Sequence, residues 1–242
     1  MSAQLAQRRL VPYRAAFTLI ELLSVVAIIA ILAGILISVV GVVSENARKA
    51  KSTARLKNLG SSALLYSIEH AGSWPQSSHA YTQASPQWWL ALAPYLGSDI
   101  TRASDPRRAD YLNGILRDPL DPEETPGGHS NEFSYGFNVY LQLGELDDYD
   151  GKPQRWNTVY RTPHPESTVI FATNQLDSSD HFMAHDWAST ADAEHDLDIR
   201  SNDLAGFVFC DGHTEWLSPT QSFSPANGAN LWHPDQAVQP KP

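Results

Sequence analysis

The sequence predicts an α+β fold, a long N-terminal α-helix packed on a small antiparallel β-sheet. Three observations carry this. No proline falls between Pro12 and Pro75, and apolar residues recur through that stretch at helical steps. Ser167–Thr173, with the β-rich run Thr168–Ala172 inside it, predicts a strand. Gly206–Cys210 and His213–Leu217 are two further β-rich runs flanking Asp211-Gly212, which predicts a hairpin with a type I′ turn. A length of 242 residues bounds the chain to one or two domains.

Taken in order, residues 1–16 form a short polar leader with Arg8, Arg9 and Arg14. From Phe17 to Val43 the only charge is Glu21. The apolar run Leu22–Val43 spans roughly 33 Å as a helix, enough to cross a bilayer core. It is longer than the apolar region of a secretory signal peptide, and no small-residue cleavage site ends it. Residues 17–43 are therefore predicted as a transmembrane helix. A lone carboxylate at its head is costly unless something compensates for it. Charge bias alone favours a cytoplasmic C-terminal side, because Arg48, Lys49, Lys51, Arg55 and Lys57 outnumber the three leader arginines.

Residues 44–72 read as an amphipathic continuation of the same helix. Ala47, Ala50, Ala54, Leu56, Leu59, Ala63, Tyr66 and Ile68 supply its apolar stripe. Gly60 weakens its middle, and Gly72 and Pro75 punctuate its end. Residues 73–242 form a globular head. There Gln87–Leu96 is a short apolar helix or turn cluster, Asp118–Gly128 a loop by its Pro and Gly content, and Phe133–Leu143 a partly alternating segment. Asp177–Asp203 is acidic and poorly periodic and reads as an insertion loop, and the Pro-rich tail after Leu231 as loose chain.

Composition narrows the chemistry. Three of the 27 acidic residues and eight of the 17 basic ones precede Trp74, leaving 24 and nine in the head. Such a surface does not neutralise phosphates, so no nucleic-acid partner is expected. The single cysteine, Cys210, rules out an intrachain disulfide, and seven Trp, nine Tyr and eight Phe are enough to fill a core. Asp147-Asp148-Tyr149-Asp150-Gly151 clusters hard oxygens beside a glycine, which makes Asp148 and Asp150 the candidate calcium ligands. The spacing fails as an EF-hand, and a solvated acidic turn is the ordinary alternative. His181 and His185, with Asp180, Asp186, Asp192, Glu194, His195, Asp196 and Asp198, form a second cluster with zinc-type donors. On a strand, Asp192, Glu194, Asp196 and Asp198 would share one face and repel. Cys210 lies in an apolar run, which suits a small core residue better than a nucleophile.

Ala16-Phe17-Thr18-Leu19-Ile20-Glu21-Leu22-Leu23 resembles the N-terminal signal of type IV pilins and type II secretion pseudopilins. The resemblance implies cleavage between Ala16 and Phe17 by a membrane prepilin peptidase, then methylation of the new Phe17 amine. The family usually has Gly where this chain has Ala16. In filaments of that family the amine is thought to meet the Glu of a neighbouring subunit, which gives Glu21 an assembly role. The head also resembles the branch that carries His, nine residues, then Asp-Gly. Asp211-Gly212 fits, as do Arg117-Asp118-Pro119 and Ser134–Asn138, but Ser201 stands at the His position.

The resemblance implies a pilin-like fold and a non-catalytic subunit of a type II secretion pseudopilus or type IV pilus-like filament. It would be a single-pass protein of the inner membrane with its head exported. Its partners would be copies of itself, other pilins or pseudopilins, the prepilin peptidase and an assembly platform. Apart from calcium at Asp148 and Asp150, no cofactor is expected. The reading from another class is a single-pass anchored enzyme, or a metal- or sugar-binding protein, whose head does the work.

Overall fold

A computed structural model describes residues 17–79, 86–121, 133–143, 156–175 and 179–238. The chain divides into two units, Met1–Asn46 and Ala47–Pro242. Helix α1, Leu19–Glu69, runs through both. In the first unit it contains a stretch long and apolar enough to cross a membrane, none of it buried within the protein.

In the second unit α1 lies on a sheet, as the α+β expectation required. Leu56, Leu59, Ala63 and Tyr66 form the buried stripe. Ser52, Gly60, Ser62 and Ser67 complete it. Ala47, Ala50, Ala54 and Ile68 lie off this face, exposed, because their helical phase differs; Ile68 is about 200° around the helix from Tyr66. Gly60 has a packing role rather than being a mere weakness. A Cβ there would come within 2.5 Å of Val208 Cγ1, so the missing side chain sets how closely helix and sheet approach.

The helix ends in a left-handed cap. Gly72 N–H donates to the Ser67 carbonyl at 2.7 Å, with Ala71 at φ 54°. Ala71 is exposed, so its methyl has no packing to offset the cost of that backbone. Ala71→Gly is expected to stabilise the protein by about 1 kcal/mol, read as a higher denaturant midpoint at unchanged slope.

The head elements are α2 (Trp88–Ala91), α3 (Arg108–Gly114), β1 (Tyr135–Asn138), β2 (Val169–Thr173), β3 (His181–Phe182), α4 (Thr190–Asp196), β4 (Ala205–Phe209), β5 (Thr214–Leu217), α5 (Pro219–Ser222), β6 (Phe223–Ser224) and β7 (Ala229–Asn230). The main sheet has the order β3-β1-β2-β4-β5, and β6 pairs with β7 separately. All neighbours in the main sheet are antiparallel except β1 and β3, so the sheet is mixed at that edge. Its central strands are buried on both faces. One face meets α1 and the indoles of Trp74, Trp88 and Trp89; the other meets Phe182, Trp187, Leu197 and Trp232. This explains why Tyr135–Asn138 and Ala205–Phe209 show no alternation.

Three sequence expectations are corrected in the head. Residues 177–203 are not a plain insertion loop. Within the described part, Phe182, Trp187, Ala193 and Leu197 are buried and α4 is a helix, so Asp192, Glu194 and Asp196 do not share a strand face. The helix starts on a Ser-x-x-Asp box, in which Ser189 N–H and Oγ donate to Asp192 at 2.7 and 3.1 Å. These bonds, with one from Ala188 N–H, hold the Asp192 carboxyl below the usual range. The tail is not loose as far as Val238: Trp232 is fully buried, ringed by Phe182, Trp187 and Phe207, and its carbonyl accepts from Asn138 Nδ2 at 2.8 Å.

The third correction concerns the hairpin. Its loop has three residues: Gly212 N–H donates to Phe209 O at 2.9 Å, and Phe209 N–H to His213 O at 3.0 Å. Gly212 alone takes a positive φ, 88°, which is the pattern of a type I turn closed by a left-handed glycine. The I′ pattern occurs instead at Asn202 (φ 51°) and Asp203 (φ 61°), between Ser201 and Leu204.

Candidate processing and assembly site

At the N-terminus, Phe17 is 82% exposed and α1 begins two residues later. Thr18 and Glu21 form a reciprocal cap. Glu21 Oε2 accepts from Thr18 N–H at 2.9 Å and from Thr18 Oγ1 at 2.7 Å, while Glu21 N–H donates to Thr18 Oγ1 at 3.3 Å. Sequence reasoning missed this cap, although Thr-x-x-Glu is a capping-box spacing. Both contacts to the carboxylate end on one oxygen. The cap therefore satisfies part of the carboxylate and leaves Oε1 without a hydrogen bond among the described residues, on an exposed side chain. The helix N-terminus also favours a negative group in this first turn.

Of the other sequence candidates, Ala16 lies outside the described residues, as do Asp148 and Asp150. Asp211 and Gly212 belong to the second unit, at the hairpin loop. Asp211 Oδ1 accepts from His213 N–H at 3.0 Å and lies 2.5 Å from His213 Nδ1, and the His213 ring stacks on Phe209 at 4.3 Å. Those contacts shape a loop. Cys210 is buried, and burial, reinforced by Asp211, pushes its thiol well up, away from a reactive thiolate. Ser201 is buried in the neighbouring I′ turn.

In the acid-and-His cluster, Asp180 is occupied by Ser78: N–H donates at 3.0 Å and Oγ at 2.6 Å. Among the described residues no three His, Cys, Asp or Glu side chains converge to hold a metal. Five of the seven tryptophans are buried, which favours core packing over a sugar platform.

Sequence reasoning missed Arg200. Its side chain is 1% exposed, with Nε 2.6 Å from Asp198, Nη1 3.3 Å from Asp118 and Nη2 3.6 Å from Asp121. Nη2 also donates to the carbonyls of Ser134 and Asn174 at 3.1 and 3.0 Å. Asp118 in turn accepts from Ser52 Oγ of α1 at 2.6 Å and from Tyr135 of β1 at 2.8 Å. Burial works against the guanidinium charge, but the three carboxylates outweigh it and its pKa is raised. Burial and Asp118 push the Tyr135 phenol well up. The segments Arg117-Asp118-Pro119 and Ser134–Asn138 thus meet at one buried polar network that also ties down α1.

Residues 12–37 match the family model described as "Prokaryotic N-terminal methylation motif". No curated protein and no solved structure matches the chain. The chain carries at its N-terminus the methylation motif of the type IV pilin and pseudopilin family, ahead of an α+β pilin-like head.

Proposed function

We propose that this chain is a non-catalytic structural subunit of a type II secretion pseudopilus or a type IV pilus-like filament. The observation that carries the reading is Glu21. It is the only charge between Phe17 and Val43, it sits four residues after the cleavage position, and the Thr18 contacts use one of its two oxygens. A neighbour's N-terminal ammonium at Oε1 would compensate for the remaining charge and fix the axial offset between subunits. Apolar helices supply the bulk of the association, and the pairing supplies register.

In this reading the precursor is a single-pass protein of the inner membrane, residues 1–16 are removed between Ala16 and Phe17, and the head is exported. Partners are copies of itself, other pilins or pseudopilins, the prepilin peptidase and an assembly platform. Mass spectrometry of the protein from its native cells is expected to give an N-methylated Phe17 as first residue. An intact Met1, or a mature N-terminus elsewhere, would remove the reading.

A further inference from the structure

We propose that Arg48, Lys49 and Lys51, with Trp216, form a collar that binds the phosphates of anionic phospholipids where α1 leaves the bilayer. The inference rests on the membrane-anchored reading above. Five cations fall within ten residues, Arg48 to Lys57, in a protein of net charge −10. Yet among the described residues none of Arg48, Lys49 and Lys51 has a carboxylate within 4.0 Å. Cations that ignore so many carboxylates are available to another anion.

Position selects the anion. The apolar run ends at Val43. At 1.5 Å per residue, Arg48, Lys49 and Lys51 rise about 7.5, 9 and 12 Å beyond it. The headgroup layer on each side is roughly 5–8 Å thick, and charges act over about 8–10 Å in physiological salt. These three cations are within reach of lipid phosphates. Arg55 and Lys57, about 18 and 21 Å beyond Val43, are not.

The collar also has a built wall. Lys49 Nζ lies 5.1 Å from the centre of the Trp216 ring. Trp216 Nε1 donates to Thr53 Oγ1 at 2.9 Å, and Thr53 Oγ1 donates to the Lys49 carbonyl at 2.9 Å. A half-buried indole thus holds the Lys49 ammonium on this side of α1, and a lysine beside an indole is a pairing that suits a membrane–water interface. Glu45 lies one turn nearer the bilayer, so the local balance remains positive. A second copy's acidic head is the competing occupant; it would take Arg55 and Lys57 as readily as the three cations nearer the apolar run.

The full chain in nanodiscs of phosphatidylcholine doped with phosphatidylglycerol tests this, with retained lipids counted by native mass spectrometry after release. The wild type is expected to retain phosphatidylglycerol in preference to phosphatidylcholine. The triple variant Arg48→Gln/Lys49→Gln/Lys51→Gln should lower that enrichment about tenfold, and Arg55→Gln/Lys57→Gln should leave it within about twofold. Equal losses in the two variants, or no enrichment in the wild type, overturn the collar alone. So does a triple variant that keeps its enrichment but loses crosslinked oligomers in pure phosphatidylcholine liposomes, which would assign the cations to a second copy. A chain that elutes free of the discs overturns the membrane reading, and the collar with it.

Discussion

Glu21→Gln is expected to leave cleavage before Phe17 intact and to abolish filament assembly. The amide keeps an oxygen that can accept from Thr18 N–H and Oγ1, so the reciprocal cap survives. What it loses is the negative charge that a neighbour's ammonium would meet. Removing one partner of a buried ion pair typically costs about 3–5 kcal/mol, roughly 10²–10⁴-fold in subunit association. Thr18→Ala is the complementary change. It removes the hydroxyl half of the cap, at about 0.5–2 kcal/mol of local helix stability, and keeps the charge. Filaments should therefore form from Thr18→Ala and fail from Glu21→Gln. Electron microscopy and shearing of surface filaments, with the mature N-terminus checked in each variant, would settle the order. Normal filaments from Glu21→Gln would mean that the carboxylate serves only as a helix cap.

The parts of this fold governed by local periodicity were legible. Leu56, Leu59, Ala63 and Tyr66 follow the helical repeat onto one buried face, and Val169–Thr173 and Ala205–Phe209 are dense in β-forming residues. The repeat failed where its step broke: Ala54 to Leu56 and Tyr66 to Ile68 are two-residue steps. Ala50, Ala54 and Ile68 are apolar but out of phase with that face. Residues 190–196 look like acidic loop because their helix is short and mostly polar outside; the informative signal was Ser189-x-x-Asp192, not hydrophobicity. Trp232 was hidden by its Pro-rich surroundings, although one large indole can anchor a tail. At the candidate site, Phe17 and Glu21 stand out in the sequence by their setting, at the head of a long apolar run with one charge. The Thr18 cap has its own local signature, Thr-x-x-Glu, which is independent of the apolar setting. The Arg200 network had no local signature, since its carboxylate at Asp118 lies 82 positions away in the chain.

That network carries the largest stability prediction. Arg200→Met should destabilise the head by about 3–5 kcal/mol, because it leaves the buried Asp118 and Asp121 without their shared cation. Arg117, 3.4 Å from Asp121, offsets only part of this. Arg200→Lys should recover little. A lysine cannot bond Asp198 through one nitrogen while donating to the carbonyls of Ser134 and Asn174 through another fixed in the same plane. The damage should also spread to α1, because Asp118 is the acceptor for Ser52, and Ser52 is on the helix face that packs on the sheet. Hydrogen exchange of the full chain in detergent would then show faster exchange around Ser52 as well as around Tyr135, together with a lower melting temperature. If Arg200→Met melts like the wild type, the guanidinium is a replaceable filler. Pairing it with Asp118→Asn distinguishes the two cases further: relief of the uncompensated carboxylate should restore part of the loss, a coupling that a filler would not show.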